Sequence, residues 1–205
     1  MNEVPDRIGF GFSRAEDKAF STAIRYMTRP TWKPLPLAHW SHMFNVYYFR
    51  NGVEARIHEA LITEHGWCEK PISKLLTWEN KDREKHIAEI IPLPIPAPVV
   101  ADIWKESCSW IGVRTYAILQ LGVFGASNLL VGRALCRAFP HLFSKDVGEN
   151  QTVCSEGSCQ IVGEKYPMFD LRRHGEKWID MSPESAYQRV KEVLATSPYV
   201  RSKGI

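Results

Sequence analysis

Three short runs of aromatic and β-branched residues stand out near the start of the chain, at residues 8–12, 40–49 and 53–61. Runs of this length and composition are typical of β-strands. Between the first two runs, Ser13 and Glu16 have the spacing of a capping box, and the apolar residues that follow recur at helical spacing. The pattern predicts a strand that ends at Ser13, an amphipathic helix and then a β-hairpin.

Asn51 and Gly52 separate the second and third runs, and this pair is the strongest two-residue hairpin signal. A two-residue loop fixes the register and places Phe44 opposite Glu59. Because side chains alternate along a strand, His42 and Glu59 then share a face, about 7 to 8 Å apart at the backbone and within reach of a hydrogen bond. The residues around them are mostly apolar, so we expect this face to point towards the core.

The same register sends His58 to the opposite face, together with Glu54 and Arg56. Glu59 is therefore the predicted partner of the His42 ring, and its apolar neighbours also favour its burial over that of His58. A loop longer by one residue would exchange Glu59 and His58.

The second half of the chain predicts mainly helices. The alternating prolines of residues 92–98 exclude a central strand, and the last of them suits the first turn of a helix. Residues 116–139 are the most apolar segment, but polar residues interrupt it. A membrane span needs about 20 predominantly apolar residues, and the interrupted segment does not provide them. We expect a buried core helix there, with a membrane-touching or partner-binding helix as the alternative. Residues 177–180 predict a short strand, and Ser182 predicts a cap for a helix that begins with Pro183.

Composition and charge narrow the class of protein. The 205 residues, of which 44% are hydrophobic, suffice for one core, so we expect a single domain over residues 1–205. A net charge of +3 without any run of lysine and arginine predicts no nucleic-acid partner. The five cysteines have no paired spacing and the N-terminus lacks the features of a secretory signal, which predicts a reducing, cytoplasmic location and leaves a virion or host-cell association open.

Cys154 is the candidate nucleophile. It opens a predicted helix after a polar loop, and the free N–H groups and positive dipole end of a helix start favour a thiolate. With His42 as base and Glu59 as orienting acid, it completes a Cys-His-acid triad. The alternative is a buried structural cysteine, a core histidine and a solvent carboxylate. Cys159 lies five residues further along, on a different face of the helix, so we expect both thiols to be free.

Zinc is a further alternative for the histidines. His39, His42, His58, His65 and Cys68 could in principle supply ligands, but no Cys-x-x-Cys or His-Glu-x-x-His spacing occurs. The predicted register also directs His58 away from His42. We therefore expect no metal and no other cofactor.

The order of these motifs resembles that of the YiiX/YebB-like circularly permuted papain-like hydrolases of the NlpC superfamily. The resemblance covers residues 7–195 and implies an α+β, papain-like fold of permuted connectivity, with an antiparallel sheet packed against helices. It also implies His42 as base, Glu59 as orienting acid and Cys154 as nucleophile. The matching segments are residues 8–12, Phe20 to Arg25, Trp40-Ser41-His42, His58-Glu59-Ala60, Gly112 to Tyr116, Cys154-Ser155-Glu156 and Ser182-Pro183.

Ser41 and Tyr116 lie within the matching motifs, and we expect them to contact the substrate. The chain departs from the family pattern at Ala117, where an aspartate often follows the tyrosine. It also departs at Gly157 and Ser158, which stand where the family has apolar residues after the cysteine.

The function that these features predict is a cysteine hydrolase, a peptidase or amidase that cleaves an amide or ester through a thioester. Its substrate would be a peptide, an amide or a lipid ester. A lipid-directed acyltransferase or lipase is the alternative within the superfamily, with peripheral membrane contact through residues 116–139. A binding or structural protein that retains the fold without turnover is the alternative outside it. The sequence sets no oligomeric state.

Overall fold

The computed structural model of the chain describes residues 3–15, 21, 25, 38–61, 63–73, 86–116, 151–178 and 181–196. Its strands are β1 (Arg7–Ala15), β2 (His42–Phe49), β3 (Glu54–Leu61), β4 (Gly66–Pro71), β5 (His86–Leu93), β6 (Thr115–Tyr116) and β7 (Gln151–Thr152). The helices with described bounds are α1 (Ala97–Trp110), α2 (Cys154–Lys165) and α3 (Pro183–Thr196).

The strands form one sheet in the order β5-β1-β2-β3-β4-β6-β7. Neighbouring strands are antiparallel, except that β6 and β7 pair in parallel. The sheet packs against helices, so the predicted α+β fold with an antiparallel sheet is confirmed. β5 lies at one end of the strand order, where Pro92, which lacks an N–H group, is tolerated.

The hairpin between β2 and β3 has the predicted register. Its ladder runs from Phe49 opposite Glu54 to Asn45 opposite His58, which continues towards Phe44 and Glu59. The turn itself is a short 3-10 segment, and it closes with a 3.4 Å hydrogen bond from the Val53 N–H to the Arg50 carbonyl. The loop is therefore wider than two residues, but it is wider by one residue on each side, which leaves the register unchanged.

The His42 face is buried, as predicted, but it does not carry the larger core. That face carries a small apolar cluster of Phe44, Val46 and Ile57, whereas the larger core lies on the opposite face of the sheet. Helices α1 and α2 cover the opposite face, and β2 is consequently buried on both sides. A central strand between two apolar layers has no clean alternation, so the pattern could not tell the larger layer from the smaller one. The larger core includes Phe10, Phe12, Met43, Tyr47, Phe49, Ala60, Trp67, Val100, Ile103, Ile161 and Val162.

The predicted capping box at Ser13 is also wrong. Strand β1 continues to Ala15, and Ser13 pairs with His42 on one side and with Ala88 on the other. Ladder hydrogen bonds to two neighbouring strands outweigh the local capping signal. The helix predicted after Ser13 lies outside the described residues except for Ser21 and Arg25, which are both helical.

The start signals of the later helices are confirmed. Pro98 lies in the first turn of α1, and the Ser182 hydroxyl accepts a 3.1 Å hydrogen bond from the Ser185 N–H at the start of α3. The strand predicted for residues 177–180 is wrong for its described part, since Lys177 and Trp178 are not in a strand. The indole of Trp178 packs instead against α2 at Gly163.

Residues 117–139, most of the apolar segment, lie outside the described part of the chain. Within the part that is described, no helix has both the length and the apolar character needed to cross a membrane.

Candidate active site

Cys154 occupies the first position of α2, as predicted. Val153 precedes it in an extended conformation, and the Glu156 carboxylate accepts a 3.3 Å hydrogen bond from the Val153 N–H. The first helical hydrogen bond runs from the Gly157 N–H to the Val153 carbonyl, at 2.9 Å. The Cys154 thiol, which is only 5% exposed, therefore lies at the positive end of a regular helix.

Gly157 explains how close this helix start comes to the sheet. A Cβ atom at this position would lie 2.8 Å from the Trp67 ring and 2.8 Å from the Thr152 hydroxyl oxygen. Any larger residue would push the first turn of α2 away from β4 and β7. A glycine at position 157 is thus a packing requirement of this chain.

His42 and Glu59 meet on the sheet face that the hairpin register predicts. Glu59 Oε2 lies 2.7 Å from His42 Nε2, which is the distance of a charge-assisted hydrogen bond. The His42 side chain is 20% exposed and that of Glu59 is 7% exposed. The ring of His42 stacks on that of Phe44 at a centroid distance of 6.0 Å. The predicted contact between the two groups is therefore present, and their catalytic roles stay predictions.

Cys154 and His42 change each other's protonation. Burial raises the pKa of the Cys154 thiol, but the His42 charge and hydrogen bond, with the backbone N–H groups of Met43 and Ser155, outweigh burial and lower that pKa. Burial likewise lowers the pKa of His42, but the charge and hydrogen bond of Cys154, together with Glu59, outweigh it and raise that pKa. Both directions favour a thiolate beside an imidazolium near neutral pH.

The two predicted substrate contacts have different surroundings. Ser41 is buried, and its hydroxyl lies 2.8 Å from the Ser21 hydroxyl oxygen and 3.3 Å from the Ser13 carbonyl oxygen. These contacts hold the entry of β2 in place. The backbone of Tyr116 pairs with Thr152, directly before the loop that leads into α2. A role in substrate binding stays a prediction for both residues.

His58 points to the opposite face of the sheet from His42, as predicted, but the expectation that it is the less buried group is wrong. Its ring is fully buried, with Nδ1 at 2.6 Å from the Ser107 hydroxyl and Nε2 at 3.1 Å from Glu69. The Trp104 ring lies 4.4 Å away. Helix α1 covers this position, and the charged neighbours of His58 along β3 gave no sign of that cover.

Lys70 is a residue near the site that sequence reasoning missed. Its Nζ atom lies 3.9 Å from Glu59 Oε1 and 3.2 Å from Glu64 Oε1. The β3–β4 register that brings it there places Lys70 opposite Ile57, one step along the face from Glu59. There was little indication of this position in the sequence, because no turn motif between β3 and β4 predicts the register of the two strands.

The thiols of Cys68, Cys108, Cys154 and Cys159 are free, which confirms the prediction for Cys154 and Cys159. Burial raises the pKa of Cys68 to about 11 and also raises the pKa of Cys159. Burial raises the pKa of Cys108 as well, so among the four described thiols Cys154 is the one whose surroundings favour the nucleophilic form. Where the chain is described, no three His, Cys, Asp or Glu side chains are arranged to hold a metal ion.

Comparisons of the chain with protein-family models, with curated proteins and with solved structures found no match.

Proposed function

We propose that this protein is a cysteine hydrolase that cleaves an amide or an ester through a thioester on Cys154. The observation that carries the proposal is the continuous contact from Cys154 to His42 to Glu59, with the thiol at a helix start. A buried thiol whose pKa is lowered by a histidine, itself held by a buried carboxylate, is the arrangement that nucleophilic acyl transfer requires.

The chemistry proceeds in two stages. The Cys154 thiolate attacks the substrate carbonyl carbon, a C–S bond forms, and the negative charge moves to the oxygen. In this proposal the Cys154 backbone N–H is one hydrogen-bond donor to that oxygen. The His42 imidazolium then donates its proton to the leaving amine or alcohol, and the C–N or C–O bond breaks. Neutral His42 next takes a proton from water, the water oxygen attacks the thioester, and the acid leaves as the thiolate and imidazolium are restored.

Glu59 acts through His42. Its carboxylate accepts a hydrogen bond from Nε2, which leaves Nδ1 of the same ring for the exchange of the proton with Cys154. The carboxylate also stabilises the imidazolium form, because it is a negative charge 2.7 Å away with little access to solvent.

The order of motifs along the chain also supports the proposal. The strand with His42, the strand with Glu59 and the late helix with Cys154 occur in the order that resembles the YiiX/YebB-like permuted papain-like hydrolases, and we propose membership of that family. The substrate would be a peptide, an amide or a lipid ester. A lipid-directed transferase would use the same thioester but pass the acyl group to an acceptor other than water.

The test has two parts. Iodoacetamide at pH 6 should alkylate Cys154 faster than Cys68 and Cys108, as measured by mass spectrometry of the modified peptides. A panel of p-nitrophenyl esters and peptide anilides should then give an acyl group on Cys154 that hydroxylamine removes.

Cys154→Ser should abolish turnover and the trapped acyl group while the protein stays folded, and Cys108→Ser serves as the matched control. Undiminished hydrolysis by Cys154→Ser would refute the cysteine-hydrolase proposal. Equal alkylation of all the thiols would favour a binding protein that retains the fold, and release of product only with an added amine or alcohol would favour a transferase.

A further inference from the structure

The two oxygens of the buried Glu59 carboxylate have different partners. Oε2 lies 2.7 Å from His42 Nε2, whereas Oε1 lies 3.9 Å from Lys70 Nζ. The Lys70 side chain is itself only 16% exposed. An ammonium group that is this buried is stabilised by a nearby negative charge, and the carboxylate in turn is stabilised by the ammonium.

The strand register brings Lys70 to this position. Cys68 of β4 lies directly opposite Glu59, and Lys70 lies opposite Ile57. Residues two apart on a strand point to the same face, so Lys70 projects onto the face that carries Glu59. The ammonium and the carboxylate are thus diagonal neighbours across the β3–β4 pair.

Glu64 holds the outer side of the same ammonium. Its Oε1 lies 3.2 Å from Lys70 Nζ, and its side chain is 49% exposed. The pair that Lys70 makes with Glu64 is open to solvent, whereas the pair with Glu59 is not. Lys70 therefore bridges a solvent-exposed carboxylate and the buried carboxylate that contacts His42.

We propose that Lys70 is a positioning residue for the triad. Lys70 fixes the rotamer of Glu59 and keeps the negative charge of the Glu59 carboxylate directed at His42. This inference rests on the proposed function for its biological meaning. While Lys70 pairs with Oε1, the Glu59 carboxylate keeps the orientation in which Oε2 contacts His42. Rotation of the carboxylate away from the ring would separate the buried ion pair between Lys70 and Glu59.

The charged and titratable groups that face Glu59 from the described elements come from three directions. His42 faces it from β2, Lys70 and Cys68 from β4, and Glu64 from the turn after β3. The Cys154 thiol interacts with His42 itself. Replacing Lys70 by a neutral residue removes the cation beside Oε1, so the Glu59 carboxylate is no longer held in the orientation that contacts His42.

The His42 ring N–H that is shared with Glu59 gives a spectroscopic signal of this contact. In ¹⁵N-histidine-labelled wild-type protein, we expect a strongly downfield ring proton that Glu59→Gln abolishes. In Lys70→Met, that signal should move upfield, because the carboxylate is free to rotate away from the His42 ring. Lys70→Arg should restore it, and Lys70→Gln serves as a second neutral variant if Lys70→Met does not fold.

Two controls separate positioning from a structural role. Glu64→Gln keeps the pair between Lys70 and Glu59, so the His42 signal should stay close to that of the wild type. The ring of His58, on the opposite face, should keep its own signal in each Lys70 variant.

An unchanged His42 signal in folded Lys70→Met or Lys70→Gln, together with its loss in Glu59→Gln, would overturn the inference and leave the triad standing. An unchanged signal in Glu59→Gln would overturn both the role of Glu59 and that of Lys70. The measurement needs no substrate, so a failure of Cys154 to form a thioester would refute the proposed function without changing this result.

Discussion

His42 and His58 lie on opposite faces of one hairpin and have closely similar partners. Each ring contacts a glutamate, Glu59 in the first case and Glu69 in the second. Each lies beside a group that can exchange a proton, Cys154 and Ser107 respectively. Their pKa values nevertheless move in opposite directions from the ordinary value of 6.5, up for His42 and down to about 4 for His58.

The two pKa values differ because the negative groups around each ring oppose the effect of burial to different extents. Burial lowers the pKa of both rings. Among the described residues, Glu69 alone opposes the effect of burial on His58, at 3.1 Å with a side chain that is 33% exposed. The positive charge of Arg56 lowers the pKa of His58 further, and the hydroxyl partner of the ring carries no charge. His42 has a closer and more buried carboxylate and, in addition, the thiolate of Cys154. A histidine beside a glutamate is therefore charged only when the surrounding negative charge exceeds the cost of desolvation.

The largest difference between the two histidines is expected when each ring is removed in turn and the reactivity of Cys154 is measured. His42→Ala should lower the rate of Cys154 alkylation at pH 6 by about 100-fold or more, since the buried thiol loses the charge that lowers its pKa. His58→Gln, on the other face, should leave that rate within about threefold. Equal losses in the two variants would mean that the thiol responds to general unfolding and not to the His42 charge.

The second prediction exchanges the carboxylates for amides. Glu59→Gln should lower the pKa of His42 by about one to three units, which an NMR titration of its ring protons measures. Glu69→Gln should leave the charge of His58 unchanged at pH 7, because that ring is neutral with or without Glu69. A His42 pKa that stays in place in Glu59→Gln would show that Cys154 alone holds the imidazolium.

The third prediction concerns stability, and its sign follows from His58. Because burial lowers the pKa of folded His58 to about 4, the unfolded chain binds a proton more readily between about pH 4 and the ordinary value of 6.5. Acidification through this window therefore favours unfolding, by about 2 kcal/mol between pH 7 and pH 5 for this one group.

The measurement is denaturant unfolding of wild type and His58→Gln at both pH values. The wild type should lose about 2 kcal/mol more than the variant on acidification, although the variant starts from a lower stability at pH 7 because it disrupts the contacts with Ser107 and Glu69. Parallel losses in both proteins would contradict a neutral, buried His58.

The smallest effect is expected at the turn that assigns the two histidines to opposite faces. Gly52 has a φ of +91°, so Gly52→Ala should cost about 1 kcal/mol of unfolding free energy without changing the register. Val53→Ala is the matched control, since Val53 is 84% exposed and has a φ of −69°, and it should change stability by less than about 0.5 kcal/mol. A loss of the contact between His42 and Glu59 in Gly52→Ala would show that the turn, and not the rest of the sheet, maintains the register.

The features that local sequence predicted correctly depend on residues a few positions apart. The turn at Asn51 and Gly52 predicted the register and so the contact of His42 with Glu59, although the loop proved wider. The start of α2 at Cys154 was also predictable from local sequence. A polar loop before the helix marks where it begins, and the first turn of any helix has unpaired N–H groups.

The features that failed depend on elements that are distant along the chain. Ser13 joined a strand because β2 and β5 offered ladder hydrogen bonds on both sides, and His58 was buried because α1 covers it. The position of Lys70 beside Glu59 depended on a strand pairing that no local motif predicted. The sequence by itself determined the register of the β2–β3 hairpin and the pairing of His42 with Glu59. Only the tertiary structure decided which face carries the larger core and which histidine carries a charge, because burial and charge at a residue are the sum of contributions from every element packed against it.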